Sequence, residues 1–120
     1  MTEDNTIKRG SEAEQLACNY LEKHALKLVT KNFRAKYGEI DLIMKDKEHL
    51  VFVEVRLRNN QDYGTGADTV TPHKQRKLRN TANFYLQTHY GNNFPPCRFD
   101  VISMSNQTDN PQFDWIKNAF

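Results

Sequence analysis

The sequence predicts an α/β fold in the order helix, three strands, helix, one or two strands. Three observations carry that reading. Apolar residues recur at helical spacing in two separate stretches, one near the N-terminus and one after Thr71-Pro72. Between them lie two strand-length apolar runs, residues 38–44 and 50–57. A short polar break joins those runs, which favours an antiparallel hairpin.

The elements follow in chain order. Residues 1–8 are polar and are expected to fray. Ala13, Leu16, Ala17, Tyr20 and Leu21 predict a helix from Ser11 to about His24. Ser11 followed by Glu14 resembles a capping box. Residues 28–33 predict a first strand leading into the two apolar runs, and residues 45–49 form the hairpin turn. Residues 58–66 are polar and glycine-rich, which marks a loop that could close over a substrate. Thr71 and Pro72 then supply a cap and a first helical position. Leu78, Ala82, Tyr85 and Leu86 form the apolar stripe of this second helix, which runs to about His89. Gly91 to Pro96 breaks it. Residues 98–104 and 113–116 read as strands, with Trp115 as an anchor.

Composition narrows the function classes. A chain of 120 residues suggests one domain spanning residues 1–120. No run of about 18 apolar residues occurs, so no spanning helix and no membrane partner are expected. The first residues lack an apolar signal core, which predicts a cytoplasmic protein. Cys18 and Cys97 stand apart and read as free thiols, and the scattered histidines argue against zinc. Net charge is only +2, but residues 73–79 are compactly basic. Such a segment either contacts phosphates or is a solvated helix face.

Asp41 and Glu54 are the informative residues. Each is an acid inside an apolar strand, where an ionised carboxylate is costly without compensation. A turn centred near residues 47 and 48 sets Asp41 opposite Glu54 and Met44 opposite Val51. Opposed Cβ atoms lie roughly 5 Å apart, and two like charges there repel by about 3 kcal/mol at an effective dielectric of about 20. A hard divalent cation, Mg²⁺ or Mn²⁺, relieves that repulsion. Arg56 falls on the face of Glu54 by strand alternation. The plainer alternative pairs Asp41 with Arg56 or Arg34 and leaves Glu54 on a solvated edge. Glu39 reads as an exposed charge. Glu14 borders the apolar stripe of the first helix, either as a cap or as a third acid near the metal. Lys74 shares the core-side face of the second helix with Leu78, Thr81 and Tyr85, as a snorkelling lysine or as a site cation.

Taken together, Gly10-x-x-Ala13-Glu14, Asn32-Phe33-Arg34, the block 38–43, the block 52–58, Lys74, the block 98–102 and the terminal Asn118-Ala119-Phe120 resemble the YraN-like family of small bacterial proteins. The resemblance covers nearly the whole chain. That family in turn resembles the restriction-endonuclease-like PD-(D/E)xK superfamily, with relatives similar to Holliday-junction resolvases. The resemblance implies a central mixed sheet flanked by helices. It also implies metal ligation by Asp41, Glu54 and the Val55 carbonyl, with Glu14 nearby. The superfamily lysine is Arg56 here. Arginine keeps the charge and can clamp a phosphate, but it cannot act as a base. Arg56 would stabilise charge at the phosphate, or Lys74 would supply the missing amine, or cleavage would be lost.

Three functions follow as expectations. The first is a Mg²⁺- or Mn²⁺-dependent nuclease that hydrolyses phosphodiesters of DNA, with branched or structured DNA as a candidate substrate and RNA as an alternative, and with catalytic Asp41, Glu54, Arg56 and Lys74. Arg34, Arg58, Arg76, Lys77 and Arg79 would grip flanking phosphates. Cutting two strands symmetrically would call for a homodimer. The second is a non-catalytic nucleic-acid-binding module with a degenerate site. The third is an interaction protein without a nucleic-acid role.

Overall fold

In the computed structural model, residues 10–58, 70–105 and 109–120 are described. The elements are α1 (Gly10–Lys23), β1 (Lys27–Ala35), β2 (Gly38–Asp46), β3 (His49–Arg58), α2 (Pro72–Tyr90), β4 (Cys97–Ser105) and β5 (Phe113–Ile116). The order matches the sequence reading. The five strands form one sheet in the order β1-β2-β3-β4-β5. All neighbours are antiparallel except β3 and β4, which run parallel across the α2 crossover. The sheet is therefore mixed.

One helix covers each face. Ala13, Ala17, Cys18 and Leu21 of α1 pack on Leu42, Met44, Val51, Val53, Ile102 and Met104. On the other side Leu78, Ala82, Tyr85 and Leu86 of α2 pack on Ile43, Leu50, Phe52 and Val101. Burial of both strand faces explains why residues 50–53 form an unbroken apolar run. Thr71 caps α2 by accepting the Lys74 N–H, and Pro72 opens the helix. No helix among the described residues is long and apolar enough to cross a membrane.

Gly38 closes the β1–β2 turn at φ 150°. A Cβ there would stand 3.4 Å from the Thr81 hydroxyl and 3.8 Å from Lys77 Cβ, so glycine lets the turn lie close against α2. A second network fixes the far edge of the sheet. Arg98 donates to both Asp100 carboxylate oxygens and to Asp46. The fully buried Asp100 also accepts from Trp115 Nε1 at 2.9 Å and from the Asn118 N–H at 3.0 Å. These contacts hold β5 and the C-terminal residues onto β4.

The β2–β3 pairing confirms Met44 opposite Val51 and ends at Leu42 opposite Val53. Asp41 follows immediately. Ile40 and Leu42, two residues apart, pack on opposite faces of the sheet. Regular alternation would put them on one face, so β2 switches faces at Asp41. Across from it on β1, Asn32 adopts φ 52°, a conformation that asparagine tolerates better than most residues.

Candidate functional site

The face switch gives Asp41 access to both helical layers. Alternation from Ile43 directs Asp41 to the α2 side, the side that Glu54 shares with Phe52. A cavity of about 340 Å³ on that side is lined by Asp41, Glu54, Lys74 and Lys77. A neighbouring hollow of about 280 Å³ is lined by Asp41 and Glu54 together with Glu14, Val55 and Arg56. The two strand acids thus meet, and the helical acid joins them.

Each carboxylate is held in place. Asp41 Oδ2 accepts the Val55 N–H at 2.8 Å, which replaces the ladder bond lost where the strands part. Glu14 lines the same hollow as Asp41, and the Asn32 side chain beside it favours its ionised form. Glu54 is 5% exposed. Its Oε2 lies 3.1 Å from Lys74 Nζ and 3.2 Å from Arg56 Nη1. Two cations thus converge on one oxygen of Glu54.

The electrostatics are uneven. Burial, followed by repulsion from Glu54, pushes the Asp41 carboxyl up to about 8, against the lowering effect of the Val55 N–H. Glu14 and Glu39 add to that repulsion. Burial raises the Glu14 carboxyl as well. The Asp41 carboxyl therefore keeps its proton at neutral pH, and ionising it there calls for a cation beyond those paired with Glu54.

The donor set suits a hard divalent ion. Carboxylate oxygens and the Val55 carbonyl are the ligands such ions prefer. Among the described residues, no group of three His, Cys, Asp or Glu side chains is arranged as a ready cage. Mg²⁺ does not require one, because it keeps several waters and is commonly held by one or two carboxylates. Asp41 and Glu54 fit that requirement, with Glu14 behind Asp41.

Some sequence expectations are corrected. Gly10 is already helical, so Ser11 lies inside α1 rather than at its cap, and Glu14 turns to Asn32 and Asp41 instead. Neither Arg56 nor Arg34 pairs with Asp41. Arg56 bonds Glu54, and Arg34 pairs with Glu39 at 3.4 Å on the exposed edge. Glu54 is buried rather than on a solvated edge. Lys74 does not snorkel but reaches Glu54.

The remaining basic residues separate. Lys77 lines the cavity, and Arg76 is exposed on α2. Arg58 donates to the Ser103 hydroxyl at 3.0 Å at the end of β3. Arg79 lies over the rings of Phe99 and Phe120, at 5.4 and 5.5 Å. The glycine-rich stretch with Gly64 and Gly66 lies outside the described residues. Sequence reasoning missed Asn32 and His73. Asn32 had a signal, as a polar residue in a motif block, and His73 lines the cavity beside Lys74.

Fold and site together define a class: a mixed-sheet α/β protein whose central hairpin carries an acid pair served by cations from the next strand position and the crossover helix. The family model described as "Uncharacterised protein family UPF0102" matches residues 13–104, and the chain belongs to that family. A UPF0102 protein of Coxiella burnetii is 51% identical over 95% of this chain and 92% of its own length. One from Nitrosomonas eutropha is 47% identical over 97% and 96%, and one from Nitrosococcus oceani is 44% identical over 93% and 90%. The matched span contains Glu14, Asp41, Glu54, Arg56 and Lys74.

Proposed function

We propose that this protein is a divalent-metal-dependent phosphodiesterase that acts on nucleic acid, DNA in the first instance, in the cytoplasm. The observation that carries the reading is the convergence of Asp41, Glu54 and Glu14 where β2 switches faces, with no ion pair to Asp41 among the described residues. Asp41, Glu54 and the Val55 carbonyl would hold Mg²⁺ or Mn²⁺. When bound, the ion supplies Lewis acidity toward the phosphodiester and toward water.

The chain's own residues do the rest. The Val55 N–H fixes the Asp41 carboxyl by one oxygen at the wall of the cavity that it lines. Glu54 holds Lys74 and Arg56 at a common point. Both then stand ready to stabilise charge that grows on the phosphate oxygens. Arg56 acts through charge and two-point hydrogen bonding. Lys74, a compact ammonium with three donors on a flexible stem, takes the amine role. Lys77 and Arg76 extend positive charge along α2 toward flanking phosphates. Cleavage of both strands of a symmetric substrate would take two copies of the chain.

A second reading has its own support. Lys74 and Arg56 already neutralise Glu54 without an ion, the arrangement expected of a nucleic-acid-binding module whose site no longer cleaves. One experiment separates the two. Branched, single-stranded and duplex DNA are incubated with Mg²⁺ or Mn²⁺, using wild type, Asp41→Asn and Glu54→Ala. Metal-dependent cleavage that both substitutions abolish is the expected result. Salt-sensitive binding without cleavage establishes the second reading instead.

A further inference from the structure

A second cavity of about 340 Å³ adjoins the acid site and is lined by Tyr37, Asn80, Asn83, Phe84 and Gln87. Tyr37 is 40% exposed and Phe84 is 46% exposed, and neither belongs to a core cluster. Their ring centroids lie 6.5 Å apart at 58°, so the two rings form adjoining walls rather than a closed stack. Phe84 rests on Phe33 at 6.3 Å, and Phe33 is held edge-on by Tyr85 at 5.1 Å. The shelf is therefore backed by the core.

Its chemistry is selective. The three amide side chains each present a donor and an acceptor. Among the described residues, no acid lines the cavity. Lys36 Nζ stands 5.3 Å from the Tyr37 ring centre. Lys77, one helical turn before Thr81 and close to Gly38, lines the neighbouring acid site. Tyr37 precedes Gly38, so shelf and acid site share the β1–β2 turn as a common wall. Aromatic faces, amide edges and flanking lysines match a nucleobase with its backbone phosphates.

We propose that this shelf stacks an unpaired nucleobase of the strand whose phosphate lies at Asp41 and Glu54. The substrate is then a nucleic acid with unstacked nucleotides beside the reacting phosphate. This inference rests on the phosphodiesterase reading and names its substrate class.

Fluorescence anisotropy, without divalent metal, tests it. A labelled duplex with a single-stranded overhang is compared with the same duplex carrying an abasic overhang, in DNA and RNA forms. Stacking predicts that the overhang with bases binds roughly ten-fold tighter or more. Tyr37→Leu/Phe84→Leu, which keeps apolar bulk but removes both rings, is expected to erase that ratio and leave abasic binding unchanged. Phe84→Trp is expected to keep it. A ratio seen only with RNA supports the shelf and identifies the strand as RNA. Equal affinity for abasic and base-containing overhangs, or a ratio that survives the double leucine variant, overturns the shelf alone. Absence of salt-sensitive binding to every substrate overturns the nucleic-acid reading as well.

Discussion

Lys74 Nζ lies 3.1 Å from Glu54 Oε2, joining the first turn of α2 to the middle strand of the sheet. Arg56 reaches the same oxygen from two residues along β3. The protein thus presents an amine and a guanidinium at one point. If the amine carries the catalytic role, Lys74→Ala lowers the cleavage rate by roughly 10²–10³-fold. Arg56→Ala is expected to have the smaller effect. Both variants should lose only about 1 kcal/mol of stability, because the lost pairs are partly exposed and Glu54 keeps one cation. Steady-state rates beside denaturant unfolding check this.

The raised Asp41 carboxyl predicts an unusual pH dependence. Folding lifts it from 3.8 to about 8, so between those values the folded state holds more protons than the unfolded state. Stability contributed by this group therefore falls as pH rises through that window. Wild type is expected to melt at least roughly 5 °C lower at pH 9 than at pH 6. Asp41→Asn should flatten the profile and melt above wild type at pH 9. Thermal unfolding by circular dichroism across pH 5–9 measures both; a steeper fall in the variant contradicts the assignment.

The Arg98–Asp100 network ties β5 and the C-terminal residues to β4. Asp100 has no exposed surface and accepts from Arg98, Trp115 and the Asn118 backbone. Asp100→Ala leaves the largely buried Arg98 without its main partner and is expected to cost about 3–5 kcal/mol. Trp115→Phe removes one of those donors and should cost about 1–3 kcal/mol. Urea unfolding gives the values. Activity per folded molecule should stay unchanged in Trp115→Phe.

Gly38→Ala tests the close approach of the β1–β2 turn to α2. The substitution meets a backbone angle that side chains rarely adopt and a Thr81 contact of 3.4 Å. A loss of roughly 1–3 kcal/mol is expected. Because the turn borders both the acid cavity and the aromatic shelf, nucleic-acid affinity should fall with it. Unfolding and binding measured on the same preparation report the two effects.

Much of this arrangement was legible in the residues. Element order, the Thr71 cap, the facing of Met44 and Val51, and β5 at Phe113–Ile116 follow from local signals: apolar period, turn length and capping chemistry. What could not be read locally was the face switch at Asp41. It coincides with the positive φ of Asn32 across from it, in an exposed edge strand where no apolar alternation marks a departure from regularity. Glu14 was ambiguous because a first-turn acid suits a cap as well as a site. Arg79 resembled its basic neighbours, and only tertiary packing on Phe99 and Phe120 distinguishes it.

Titration calorimetry with Mn²⁺ addresses the central claim most directly. The account predicts saturable heat from a site in the wild-type chain, abolished in Asp41→Asn and strongly weakened in Glu54→Gln, with protons released as the Asp41 carboxyl ionises. Wild-type heat no greater than buffer, or heat that survives loss of Asp41, contradicts it.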